Sequence, residues 1–237
     1  MRKSERIFRW GAVCLGWLLS VATVLMLISS GSTDRLLLAI VTPAMVLIPN
    51  MAERLLKCRI NTVVYVVCVF YATGPMLGHC CGLYQTTVWW DKILHFCGGV
   101  MFTILGVFIY KLLVPSEKST GIPVIVFALC FSISVSVIWE FFEYGADCYL
   151  GMDMQNDTIV TDITSYLLGE NGDAGSIKGI QTVSLNGGEH ILDGYIDIGI
   201  HDTMKDMLVE TVGAIITCVM LYIFRNRGSL ITSKIEK

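Results

Sequence analysis

Residues 122–144 read IPVIVFALCFSISVSVIWEFFEY. From Ile122 through Trp139 there is no charged side chain. A helix needs ~20 apolar residues to cross the hydrocarbon core of a bilayer, and this stretch supplies them. It then ends in two carboxylates three residues apart, Glu140 and Glu143. The first feature sets the fold class, and the second raises the question of function.

Five further apolar runs flank it, at about 10–28, 36–50, 62–78, 93–114 and 204–224. The expected fold is an all-α membrane protein with six transmembrane helices, a single integral membrane domain over residues 1–237. The second run is short and carries Pro43 and Pro49, so it should be kinked or re-entrant. The first run follows a basic leader, as a secretory signal would. Its apolar part exceeds the usual ~7–15 residues and no A-x-A-like site follows, so it is read as a retained span. Composition agrees: 54% of the 237 residues are hydrophobic and 16% charged, against ~45–50% and ~25% in soluble domains. A net charge of −3 without a basic stripe excludes a nucleic-acid partner. The lipid bilayer is the expected partner.

Lys and Arg accumulate in cytoplasmic loops. With six spans, one side holds Arg2, Lys3, Arg6, Arg9, Arg54, Lys57, Arg59, Lys111, Lys118, Arg225, Arg227, Lys234 and Lys237, and the other only Arg35, Lys92, Lys178 and Lys205. That split, 13 against 4, predicts cytoplasmic termini and a multi-pass protein of the plasma or inner membrane. It also places residues 145–201, between the fifth and sixth spans, on the extracytoplasmic side. This insertion is rich in Gly, Asp, Asn and Thr. Within it, GIQTVSL (179–185) and EHILDGYIDI (189–198) flank Asn186-Gly187-Gly188, a hairpin signal.

The acids run opposite to the bases. Asp91 and His95 are four apart at the start of the fourth span, in WWDKILHFCGG (89–99). Glu140 and Glu143 end the fifth, in WEFFEYGAD (139–147). Asp202 and Asp206 are four apart at the start of the sixth, in HDTMKDMLVETVGA (201–214), and Glu210 lies one turn deeper. Residues three or four apart share a helix face, and the topology brings all three pairs to the extracytoplasmic surface. An isolated charge at the bilayer centre costs roughly 2.5–3.5 kcal/mol on insertion scales. Clustered carboxylates repel one another unless a proton or cation is shared. A divalent metal ion held by Asp91, His95, Glu140, Glu143, Asp202 and Asp206 answers both problems: oxygen ligands suit Mg, Ca or Mn, and a histidine admits Zn or Fe. His95, Glu140 and Glu143 would then be the catalytic acid–base candidates.

Plainer roles exist for each residue alone. Asp91 suits a helix N-terminus, Asp202 an N-cap, and His95 an interfacial packing position. Trp89, Trp90 and Trp139 read as an interfacial belt. Gly98, Gly99 and Gly106 read as close-packing positions. Asp153 and Asp157 are potential further ligands in an acidic run that lacks EF-hand order. Cys80, Cys81 and Cys148 fall outside the membrane, where a disulfide from Cys148 to one of the pair is allowed.

The three blocks WWDKILHFCGG, WEFFEYGAD and HDTMKDMLVETVGA resemble the YjdF-like family of uncharacterised bacterial inner-membrane proteins. The resemblance implies a multi-span bacterial membrane protein and supports grouping the six site residues. It implies no reaction. Three functions fit the sequence. One is a metal-dependent hydrolase or transferase acting on a lipid or other small molecule. Another is a non-enzymatic protein braced by a structural cation. The third is a cation or proton carrier.

Overall fold

The computed structural model describes residues 3–32, 35–55, 59–87, 89–114 and 121–224. Of the bases behind the charge split, Arg2, Lys57, Lys118, Arg225, Arg227, Lys234 and Lys237 lie outside the described residues, as does Cys58. Among the described residues, six helices are long and apolar enough to cross a membrane. They are α1 (Lys3–Ser30), the broken pair α2 (Leu36–Met45) and α3 (Ile48–Leu55), α4 (Thr62–Cys80), α6 (Trp90–Leu113), α7 (Ile122–Leu150) and α8 (Ile200–Phe224); the short α5 (Leu83–Thr86) links α4 to α6. The chain divides into two compact units, Met1–Ser136 with Leu208–Lys237, and Val137–Met207.

In the first unit α1 packs on α2 and α4, and α4 on α6. Helix α1 shows how a chain solves burial in lipid. Its buried positions are Arg9, Val13, Gly16, Ser20, Thr23 and Leu27, one helical stripe of mostly small or polar residues. Its exposed positions include Leu15, Leu18, Val21, Leu25 and Ile28. Lipid is as apolar as leucine, so helices associate through small residues and hydrogen bonds rather than by hiding large side chains. The second span is kinked, as Pro43 and Pro49 foretell. Leu47 N bonds Ala44 O at 3.1 Å, the tighter three-residue step, and α3 starts with Pro49 in its first turn, where no N–H is needed.

Arg9, just before the first apolar run, is 5% exposed. Its Nη1 meets Glu53 Oε1 at 2.9 Å, its Nε donates to Thr62 Oγ1 at 3.2 Å, and its Nη2 donates to Ile60 O. The guanidinium also lies 4.5 Å over the Tyr65 ring. Glu53 Oε1 in turn accepts Ile60 N at 2.8 Å. A planar five-donor fork can satisfy all of these partners together.

Glycines set the spacing of α6. A side chain on Gly99 would overlap the carbonyl of Glu210 on α8, and one on Gly213 of α8 would lie 2.5 Å from Phe96 O. A side chain on Gly106 would lie 2.9 Å from Ala128 Cα on α7. Thr103 and Ser132 both donate to the Gly99 carbonyl, at 2.7 and 3.3 Å. Gly99 and Gly106 thus act as the packing positions read from the sequence, whereas a Cβ on Gly98 would make only ordinary contacts, at 3.6 Å.

The second unit carries the strands. The hairpin at Asn186-Gly187-Gly188 forms, with β4 (Val183–Leu185) antiparallel to β5 (His190–Leu192). Asn186 and Gly187 adopt positive φ, 49° and 71°, which Asn and Gly tolerate. Two pairings were not legible in advance. Strand β2 (Ile163–Ser165) pairs with β3 (Gly175–Ile177), and β1 (Thr158–Val160) pairs with β6 (Tyr195–Asp197), closing the insertion at its base. The single run 189–198 is therefore two strands with different partners.

Among the described residues no cysteine forms a disulfide, so the bond from Cys148 to Cys80 or Cys81 that the sequence allows is not formed. Cys80 Sγ is directed at Arg35 O (3.6 Å) and Cys81 Sγ at Thr23 Oγ1 (3.8 Å). Both thiols are engaged by the α1–α2 region instead.

Candidate metal centre

Helix α6 begins at Trp90, whose Nε1 donates to Gly74 O on α4 at 3.2 Å. That bond, with the edge-on contact of Trp90 and Phe70, anchors the first turn of α6 and gives Trp90 a structural role beyond an aromatic belt. Asp91 sits in this first turn, where the helix dipole favours an anion. Its Oδ2 takes an ion pair from Lys92 at 3.1 Å. Its Oδ1 lies 3.6 Å from Nε2 of His95, one turn further on.

His95 is 7% exposed. Its other ring nitrogen, Nδ1, lies 3.6 Å from Glu210 Oε2. Glu210 is 4% exposed, and Asp206, one turn earlier on α8, is 1% exposed. Asp91, His95 and Asp206 each offer a ligand atom, and these atoms lie within 4.8 Å of one another. This group, half-buried at Asp91 and buried at His95 and Asp206, could hold a metal ion.

The spacing and charge fit a cation. The 3.6 Å separations exceed hydrogen-bond length. With metal–ligand distances of ~2.1 Å, the edge of a tetrahedral site is ~3.4 Å, so His95 Nε2 and Asp91 Oδ1 are within a few tenths of ligand spacing. Asp206 and Glu210 are like charges four apart on one helix, a repulsive arrangement. The second oxygen of Glu210, Oε1, is buried with no hydrogen-bond partner among the described residues. A divalent ion would relieve both.

The remaining expected site residues are placed as follows. Glu140 and Glu143, on α7, are 4% and 7% exposed. Glu143 Oε1 accepts the Trp139 indole N–H at 2.7 Å, so Trp139 serves this acid and is not merely a belt residue. Asp202 is half-buried and accepts Asn156 Nδ2 at 3.1 Å. It does not cap α8: Asp197 does, accepting His201 N at 2.8 Å. Asp147 is committed locally, its two oxygens accepting Met154 N and Gln155 N at 2.6 and 2.9 Å. Asp157 is exposed, and its carboxyl is held above the usual range, first by desolvation and then by Asp153, Asp147 and Asp197.

The residue that sequence reasoning undervalued is Glu210. Its signal was present, because Asp202, Asp206 and Glu210 recur every four residues along one face. Its depth in an apolar run made it look peripheral to a site at the membrane surface.

No curated protein and no solved structure matches the chain. A family model described as "Predicted membrane protein" matches residues 12–227, nearly the whole length, and the chain belongs to that family, DUF2238.

Proposed function

We propose that this integral membrane protein is a metal-dependent hydrolase or transferase acting on a lipid-like substrate at the extracytoplasmic side. The observation that carries the reading is the Asp91/His95/Asp206 group, half-buried at Asp91 and buried at the other two, with ligand atoms inside 4.8 Å. Three protein ligands are the usual number for a catalytic site that keeps a position open for water or substrate. A bound divalent ion would supply an activated water and polarise an ester or phosphoryl oxygen. Glu140 and Glu143 are the acid–base candidates, and Glu143 Oε1 accepts the Trp139 indole N–H at 2.7 Å. The Lys/Arg split supports cytoplasmic termini, and the resemblance to YjdF-like proteins supports a bacterial inner membrane.

The test is elemental analysis of purified protein, wild type against His95→Ala and Asp206→Asn, paired with turnover of radiolabelled membrane lipids. The reading expects about one equivalent of metal in wild type, little in the variants, and metal-dependent lipid turnover. Metal content unaffected by either substitution would refute it.

One observation favours a second reading, a cation that only braces helices. Gly99 and Gly213 bring α6 and α8 backbone to backbone beside His95 and Glu210. Chelation that lowers the unfolding temperature, with no lipid turnover found, would select this alternative.

A further inference from the structure

We infer that Glu210 is the positioning residue for His95: its carboxylate holds the ring from Nδ1 and leaves Nε2 as the metal-binding nitrogen. This rests on the metal reading above and assigns to the same site a residue outside its ligand group. The two ring nitrogens face different acids, Nε2 toward Asp91 Oδ1 and Nδ1 toward Glu210 Oε2, each at 3.6 Å. An imidazole that binds a metal through one nitrogen carries its proton on the other, and an acceptor there fixes both tautomer and ring orientation. A shift of ~0.5 Å brings Glu210 to hydrogen-bond length. Two independent features favour this role. Glu210 is 96% buried, from its 4% exposure, yet its Oε1 has no hydrogen-bond partner among the described residues. The backbone beneath it is also fixed, because Gly99 admits the Glu210 carbonyl where any side chain would collide. The carboxylate is thereby held beside the ring one turn away on α6.

The experiment titrates the full-length protein in detergent with Co(II), following its visible absorption, and then displaces Co(II) with Zn(II). Glu210→Gln keeps the size and an acceptor oxygen but removes the charge. It is expected to weaken Co(II) binding by 10–100-fold and to shift the ligand-field bands, with thermal unfolding near wild type. Glu210→Ala should weaken binding further; if it fails to fold, Glu210→Gln decides alone. Wild-type affinity and an unchanged spectrum in Glu210→Gln would overturn this role while leaving the metal reading intact. Failure of wild type itself to take up Co(II) would overturn both.

Discussion

Substituting Gly213 by alanine tests the α6–α8 contact and the site together. The added Cβ would lie 2.5 Å from Phe96 O, where ordinary contact begins at 3.4 Å. The obstacle is backbone, which no rotamer change can move aside, so α8 must retreat by about 0.9 Å, the difference of those two distances. Overpacking of this kind costs about 1–3 kcal/mol, which for a chain of this size lowers the unfolding temperature by roughly 2–12 °C. Glu210 lies three residues before Gly213, and the same retreat would stretch its 3.6 Å approach to His95 towards 4.5 Å. Metal affinity should therefore fall along with stability. The control is Gly11→Ala in α1, where a Cβ meets nothing within 4 Å. There the gain in helix propensity should raise stability by about 0.5–1 kcal/mol. Thermal unfolding in detergent, read by a thiol-reactive dye as buried Cys80 and Cys218 become accessible, measures both variants. If Gly213→Ala unfolds at or above the temperature of Gly11→Ala, the close-contact reasoning is wrong.

Three other outcomes follow from the same coordinates. Glu53→Ala strips the charged partner from Arg9, which is 5% exposed. It should cost about 3 kcal/mol, the low end for a broken buried pair because Glu53 keeps some solvent contact, and an Arg9→Met/Glu53→Ala double variant should cost less than the sum of the single changes. Asp157→Asn should slow amide exchange in the insertion at pH 7. The Asp157 carboxyl is raised in the folded state by burial and neighbouring acids, so the native insertion holds its proton more tightly than the unfolded chain. Stability then falls as pH rises from the unfolded value of ~3.9 through the folded one, and the benefit of Asn should vanish below pH ~3.9. Finally, alkylation should label exposed Cys81 and Cys148 before buried Cys80, with the same adduct mass whether or not reductant is present; a gain of label on reduction would reinstate a disulfide.

The residues that were easy to place are those whose neighbours in sequence decide their setting. The Pro43 and Pro49 break, the turn at Asn186-Gly187-Gly188 and the pairing of Asp91 with His95 are local features, and each stands in the structure. The sequence places Arg9 only as a basic residue just before an apolar run; its burial depends on the return of α3 and α4 past it, which supplies Glu53, Thr62 and Tyr65. The β1–β6 pair escaped notice because its partners lie some 37 positions apart, Thr158 with Asp197 to Val160 with Tyr195, with no turn signal joining them.

The amino-acid sequence by itself determined the six spans and the face of each helix on which its acids lie, because apolar run length matches bilayer thickness and helical periodicity sets which residues share a side. Only the tertiary structure decided which of those faces meet. The rotation of α8 against α6 comes from backbone contact at Gly99 and Gly213, a steric fit between distant segments that local periodicity does not encode. That fit sets Glu210 against the second nitrogen of His95.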